Sequence, residues 1–199
     1  DNALSPGTLS LERHRLLWLY LRNETSFFKK KLKVLHIAPE QCFYNIFKNL
    51  DNINYTTYDL NSPLAKIKGD IKKMPFKENS FDFILCNHVL EHIDNDKKAM
   101  IEIFRVLNFN GTAILQVPLN QNLEKTYEDD SITEKKDRIE KFGQYDHQRV
   151  YGLDYFDKLK SIGFEVEPIK YSKDFKKEEI KKYGLIENEI IPVCKKLIH

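Results

Sequence analysis

The feature that most constrains the fold is a short apolar run, residues 33–42 (KVLHIAPEQC), which stops at a proline and continues as a helical pattern. Val34, Leu35 and Ile37 suit a strand buried on both faces, and apolar residues recur at helical spacing after Pro39. In open parallel sheets, nucleotide ligands bind in the crevice at the carboxyl end of such a strand. The sequence therefore predicts a nucleotide site at this turn, although the usual glycines are absent.

The composition limits the classes of protein to which this chain can belong. A chain of 199 residues with 41% hydrophobic and 31% charged residues suits a single globular domain, residues 1–199. The net charge of +2 gives no electrostatic reason to expect a nucleic acid partner. The three cysteines lack CxxC spacing, which favours buried reduced thiols and a cytoplasmic location over disulfides or a zinc site. No membrane segment or signal-type leader is apparent, although residue 1 is Asp rather than Met.

Helix and strand patterns alternate along the chain. This alternation predicts a parallel α/β sheet with right-handed crossovers. A charged segment without clean periodicity, residues 120–151, interrupts it and is typical of a lid or binding loop. The predicted helices include 10–22 (with Ser10 as N-cap), 41–50 and 152–162. The predicted strands include 55–60, 81–86, 112–117, 164–171 and 190–195, and a turn is predicted at residues 110–111.

Two acidic residues follow predicted strands. Asp59 lies about 20 residues beyond the first turn, where a carboxylate can accept both hydroxyls of a ribose. The alternative is that it caps the following turn. Asp70 can accept a hydrogen bond from an exocyclic amine while the amide of Ile71 donates to a ring nitrogen, and the two together would recognise an adenine edge.

Polar residues also cluster directly after the strand at 81–86. Asn87 comes first, and His88 and His92 are four residues apart with Glu91 between them. On a helix or its first turn, the last three side chains can converge as bases or metal ligands. Only three candidate ligands are visible, so these side chains are expected to serve in packing and helix capping instead of metal binding. No metal site is predicted.

A second cluster is the segment FGQYDHQRVYG, residues 142–152. His147 is a candidate base because histidine titrates near neutral pH. Arg149 is expected to bind an acidic group of a substrate, and Tyr145 and Tyr151 are expected to line a pocket. The alternative is a loop anchored by ordinary hydrogen bonds.

Five segments in order resemble the motifs of class I S-adenosylmethionine-dependent methyltransferases, of the type 11 kind. The resemblance implies a Rossmann-like, seven-stranded, mostly parallel sheet in the order 3-2-1-4-5-7-6, with the last strand antiparallel and helices on both faces. It also implies that S-adenosylmethionine is the cofactor, with Asp59 at its ribose, Asp70 and Ile71 at its adenine, and Asn87 near its sulfonium. The segments are VLHIAPE, YDLN, GDIKKMPF, SFDFILCNHVLEHI and RVLNFNGTAILQVP.

The first of these motifs departs from the pattern. Most members have an acid and three glycines where this chain has His36, Ala38, Glu40 and Cys42. We expect His36, Ala38, Pro39 and Glu40 to form the methionine end of the cofactor site. Glu40 either binds the cofactor's amino group or caps the next helix. The HIAPE form resembles a subgroup of bacterial methyltransferases that share the FGQYDHQRVYG segment.

The resemblance implies methyl transfer to a small-molecule or glycan-type acceptor, and we expect transfer to oxygen. Methyl transfer is an in-line displacement, so a general base is needed only for a poor nucleophile such as a hydroxyl. The candidate bases are His147, His92 and His88. One alternative is a catalytically degenerate S-adenosylmethionine-binding partner or regulatory protein. An NAD-dependent dehydrogenase is disfavoured because GxGxxG is absent.

Overall fold

A seven-stranded sheet in the order β3-β2-β1-β4-β5-β9-β8 forms the centre of the fold. The computed structural model describes residues 4–198, so residues 1–3 and 199 of the predicted domain lie outside the described residues. The strands are β1 (Leu32–Ile37), β2 (Ile53–Asp59), β3 (Ile67–Lys68), β4 (Phe81–Cys86), β5 (Leu107–Ile114), β6 (Tyr127–Glu128), β7 (Arg149–Val150), β8 (Glu165–Ile169) and β9 (Ile191–Lys195).

The pairing of the strands agrees with the predicted topology. β1 pairs in parallel with β2 and β4, and β4 pairs in parallel with β5. β9 is antiparallel to both β5 and β8. Because β6 and β7 pair with each other in a separate two-stranded sheet, β8 and β9 are the sixth and seventh strands of the main sheet. The predicted order 3-2-1-4-5-7-6 is confirmed.

Helices cover both faces of the sheet. On one face, α3 and α5 contribute Met100, Ile103 and Leu159 to the core. On the other, α1 contributes Leu16 and its neighbours, and α2 contributes Phe47. Each large apolar side chain buried in this way stabilises the fold by about 1.5–3 kcal/mol. The helices are α1 (Glu12–Asn23), α2 (Gln41–Phe47), α3 (Asp96–Val106), α4 (Lys135–Phe142), α5 (Tyr155–Ile162) and α6 (Lys177–Tyr183).

The start of α1 differs from the prediction. Leu11, not Ser10, occupies the N-cap position. The Leu11 amide donates to Nδ1 of His14 at 3.1 Å, so a histidine inside the first turn satisfies the amide of the N-cap residue. The carbonyl of Ser10 instead accepts a hydrogen bond from Arg15 at 2.8 Å.

β5 also differs from the prediction, which placed a turn at residues 110–111 and a strand at 112–117. The strand begins at Leu107 and ends at Ile114. Asn110 adopts a positive φ of 60° within it, and the pairing with β4 shifts in register between Phe81 and Phe83. The predicted turn is therefore an irregularity inside the strand.

The segment 120–151 contains α4 and the two-stranded sheet of β6 and β7. Arg149 and Tyr151 anchor the end of this segment. The Arg149 guanidinium is 4% exposed, and its three nitrogens donate to the carbonyls of Leu90, Ile93 and Asp94 and to the Glu128 carboxylate. The Tyr151 hydroxyl donates to Asp96 at 2.6 Å. We expected Arg149 to bind an acidic substrate group and Tyr151 to line a pocket. This geometry disagrees with both expectations, because the polar groups of the two side chains already form hydrogen bonds within the protein.

None of the helices in residues 4–198 combines the length and apolar character needed to cross a bilayer.

We expect the change Arg149→Ala to lower the free energy of unfolding by about 3–5 kcal/mol, because it leaves buried carbonyls and carboxylates without their donor. Urea unfolding followed by circular dichroism measures the loss. The exposed Lys141→Ala is the matched control and should cost less than about 1 kcal/mol. Equal, small losses for both variants would contradict a structural role for Arg149.

Candidate cofactor and acceptor site

The turn after β1 has the backbone shape that a glycine usually provides. Ala38 has a φ of 48°, in the left-handed region, which costs a residue with a Cβ about 1–2 kcal/mol. Its amide donates to the carbonyl of Tyr58 at 2.9 Å, which fixes the turn against the end of β2. The first motif therefore forms a tight turn without its glycines.

The carboxylate of Glu40 lies at the centre of the site. His36, in β1, donates to it from Nε2, and Asn87, directly after β4, donates from Nδ2 at 3.2 Å. Nε2 of His14, in α1, lies 3.8 Å away. Glu40 occupies the N-cap position of α2, but its side chain makes no capping hydrogen bond. Glu40 therefore lies at the predicted capping position, but its side chain binds His36 and Asn87 instead of an amide of the helix.

The surroundings of Glu40 favour its charged form. Burial acts to raise the pKa of this carboxyl, but the adjacent His36 outweighs burial and the pKa lies below its usual value. On the other side of His36, Nδ1 lies 2.7 Å from the Tyr55 hydroxyl. Burial raises the pKa of Tyr55, so it stays a neutral phenol. The site thus presents a carboxylate at the carboxyl end of β1.

Two buried polar atoms beside Glu40 have no hydrogen-bond partner within residues 4–198. They are Nε2 of His14 and Oδ1 of Asn87. Because Nδ1 of His14 accepts from Leu11, the neutral ring carries its proton on Nε2 and can donate there. Burial lowers the pKa of His14 to about 4, so the ring is neutral at pH 7. A carboxylate, a free acceptor and a free donor therefore lie together, a set that complements the ammonium and carboxylate groups of an amino acid.

Asp59 and Asp70 lie at the same edge of the sheet as Glu40, since β1, β2 and β3 run in parallel. One oxygen of Asp59, Oδ1, accepts from the amides of Asn61 and Ser62 at 2.8 and 2.5 Å. This carboxylate thus caps the turn, as the alternative predicted, and Oδ2 remains for a ligand. Asp70 is exposed and accepts from the Lys72 amide at 2.8 Å, and the adjoining Ile71 is buried.

His88 lines a cavity of about 380 Å³ with Arg13 and Glu189. Its backbone has a φ of 53°, and its amide donates to the carbonyl of Gln116 beyond β5 at 2.8 Å. Gln116 also donates to Glu189 at 3.2 Å, and burial raises the pKa of Glu189. Glu189 is a residue of this cavity that was not predicted. Nothing in the local sequence marks Glu189, because only the sheet topology brings it to β5.

The other histidines lie in a separate cluster. One ligand atom each from Glu91, His92 and His147 lie within 4.8 Å of one another. The cavity lined by His88 includes neither His92 nor His147. Tyr145 is 50% exposed, and Tyr151 is 1% exposed. These two tyrosines therefore do not line a common pocket, contrary to expectation.

Comparison with known proteins gives matches in sequence and in structure. Residues 40–115 match the family model described as a methyltransferase domain. A protein of uncharacterized function from Methanocaldococcus jannaschii is 37% identical over 108 residues, which is 50% of this chain and 47% of that protein. This chain spans about half the length of the curated relatives it matches.

Two solved structures show the same fold at low sequence identity. A candidate methyltransferase from Bacillus halodurans has a TM-score of 0.60 at 18% identity, over 92% of this chain and 99% of that chain. The 1,6-didemethyltoxoflavin-N1-methyltransferase from Burkholderia thailandensis, with bound 1,6-didemethyltoxoflavin and S-adenosylhomocysteine, has a TM-score of 0.59 at 13% identity. That match covers 94% of this chain and 78% of the other.

The lowered pKa of His14 predicts a pH dependence of stability. The unfolded chain takes up this proton near pH 6.5 and the folded chain only near pH 4, so stability is lost as the pH falls through this window. Wild type should lose about 2 kcal/mol more unfolding free energy between pH 7 and pH 4.5 than His14→Gln. Urea unfolding at both pH values measures the difference, and equal losses would contradict a buried neutral His14.

Proposed function

We propose that this chain, which carries a methyltransferase domain on the fold of the class I S-adenosylmethionine-dependent methyltransferases, transfers a methyl group to the oxygen of a small-molecule or glycan-type acceptor. The observation that carries the proposal is the partly buried Glu40 carboxylate beside two unpartnered polar atoms at the carboxyl end of β1. The three free buried cysteines support a cytoplasmic location.

The residues at this edge of the sheet fit S-adenosylmethionine. Glu40 and Oδ1 of Asn87 suit the ammonium group of its methionine end, and the Nε2 proton of His14 suits the carboxylate. Oδ2 of Asp59 would accept from the ribose. The Asp70 carboxylate and the Ile71 amide would recognise the adenine. When bound, the cofactor supplies a methyl group activated by the positive sulfonium.

The cavity beside His88 suits an acceptor that must lose a proton. Nε2 of His88 is buried without a hydrogen-bond partner in the described chain, so it is free to accept a proton from a hydroxyl. Glu12, Arg13 and Glu189 give the cavity charges of both signs, which suits an acceptor with many polar groups. We therefore place His88 as the base, while His92 and His147 lie in the separate cluster with Glu91.

The alternative function is that of an S-adenosylmethionine-binding partner or regulator without turnover. The turn of the first motif is intact, since Ala38 adopts the conformation that a glycine usually provides. This turn supports cofactor binding by an enzyme and by a regulator alike. Release of S-adenosylhomocysteine in the presence of hydroxylated acceptors separates the two. Tight cofactor binding with no release across sugar and phenol acceptors would favour the regulator.

We expect Glu40→Gln to weaken binding of S-adenosylmethionine and S-adenosylhomocysteine by about 10–100-fold. The variant loses a charge-assisted hydrogen bond worth about 1.5–3 kcal/mol, and both ligands share the ammonium group. Isothermal titration calorimetry measures the change. The matched control is Glu165→Gln, in the edge strand β8, which should bind like wild type. Wild-type affinity in Glu40→Gln would contradict the assignment of Glu40.

The role of His88 predicts a pH-dependent defect. With a hydroxyl acceptor identified by screening, His88→Ala should lower kcat by about 10²–10⁴-fold at neutral pH. The defect should shrink at high pH, where the acceptor ionises without a base. Calorimetry on the same variant should show unchanged cofactor affinity. A kcat within about threefold of wild type at pH 7 would exclude His88 as the base.

A further inference from the structure

Glu91, His92 and His147 come together from two distant segments of the chain. Glu91 and His92 belong to a 3-10 turn, Leu90–His92, that follows β4, and His147 belongs to the loop after α4. Oε1 of Glu91 lies 4.0 Å from Nε2 of His92, and the two imidazole rings meet edge to face with 4.7 Å between their centroids. Ligand atoms around a tetrahedral ion with bonds near 2.1 Å are about 3.4 Å apart, so small side-chain rotations suffice to enclose an ion.

Glu91 supplies an independent sign that a cation belongs here. The residue is 1% exposed, and its Oε2 has no hydrogen-bond partner within residues 4–198. The neighbouring imidazoles of His88 and His92 lie 3.4 and 4.0 Å from the other oxygen, Oε1. A buried carboxylate without full compensation costs several kcal/mol, which a bound cation would remove.

Both histidines have the orientation that metal ligands require. Nδ1 of His147 lies 3.0 Å from the carbonyl oxygen of Phe142, which only accepts, so Nδ1 carries the proton and the lone pair is on Nε2. Nδ1 of His92 faces Oδ2 of Asp146 at 3.3 Å, which favours the same tautomer. A backbone carbonyl or carboxylate on the other ring nitrogen is the usual outer partner of a metal-binding histidine.

Backbone contacts hold the two segments in register. The Gln148 amide donates to the carbonyl of Glu91 at 2.8 Å. Arg149 donates to the carbonyl of Leu90, at the start of the 3-10 turn, and to that of Asp94, just after the turn. Arg138 donates to the carbonyl of His147 at 2.7 Å. The three side chains therefore face each other in a preformed arrangement.

From this geometry we propose that Glu91, His92 and His147 bind a divalent transition-metal ion of the zinc type, with Asp146 orienting His92. Two imidazoles and one carboxylate suit such ions better than Mg²⁺ or Ca²⁺, which prefer oxygen ligands. Three protein ligands leave a coordination position open for water or an oxygen of another molecule. The sequence alone favours packing here, because it shows only three neighbouring candidate ligands and His147 is remote from them. The site does not depend on methyl transfer.

Calorimetry with ZnCl₂ on the full, tag-free chain after removal of metals tests the site directly. Wild type should bind one Zn²⁺, more tightly than Mg²⁺ in a parallel titration. His147→Ala should weaken binding by more than about 100-fold, since loss of an outer partner alone costs about 10–100-fold. The matched control, His199→Ala, removes a histidine that is not one of the proposed ligands and should bind like wild type.

A second variant distinguishes loss of metal binding from loss of folding. Glu91→Gln keeps the shape of the side chain but removes the unpaired buried charge, so its metal-free Tm should equal or exceed that of wild type. Zn²⁺ should raise the Tm of wild type and not that of Glu91→Gln. The proposal is overturned if wild type binds no Zn²⁺, if it prefers Mg²⁺, or if both variants retain wild-type Zn²⁺ affinity.

Discussion

The hydrogen bond between His36 and Glu40 joins the central strand of the sheet to the turn that follows it. Without glycines, this turn depends on side chains: Ala38 accepts a left-handed backbone, and Glu40 folds back onto the strand it has just left. Asn87 extends the contact to β4, and His14 extends it to α1. The packing of α1 on the sheet therefore contributes directly to the electrostatics of the site, because that packing buries His14 beside the carboxylate.

Much of the fold was predictable from the sequence, for a physical reason that differs between elements. β4 was predicted with its observed bounds and β1 to within a residue or so, since strands buried on both faces give continuous apolar runs. β5 was predicted less well because Asn110 and Gly111 are typical turn residues, and only pairing with β4 and β9 keeps them inside a strand. The N-cap of α1 was missed because Leu11, which has no capping side chain, occupies that position, and His14 accepts from its amide.

The residues of the candidate site also fall into those that the sequence predicts and those that it does not. Glu40, Asp59 and Asn87 lie at or just beyond the carboxyl ends of strands, so their positions in the sheet were predictable once the strands were recognised. Arg149 and Tyr151 were misassigned because sequence alone does not distinguish a buried anchor from a ligand-binding side chain. Glu189, and the approach of His147 to Glu91, depend on contacts between remote segments that carry no local signal. The residues that the sequence missed are thus those whose roles arise from tertiary contacts.

The central claim is that Glu40 substitutes for the missing glycines as the group that holds the methionine end of the cofactor. A crystal structure of the chain with S-adenosylhomocysteine tests it most directly. The account predicts the amino nitrogen of the ligand within about 3 Å of the Glu40 carboxylate, with the ligand carboxylate facing Nε2 of His14. A ligand whose amino group binds a different acid, while Glu40 contacts only His36 and Asn87, would contradict the account.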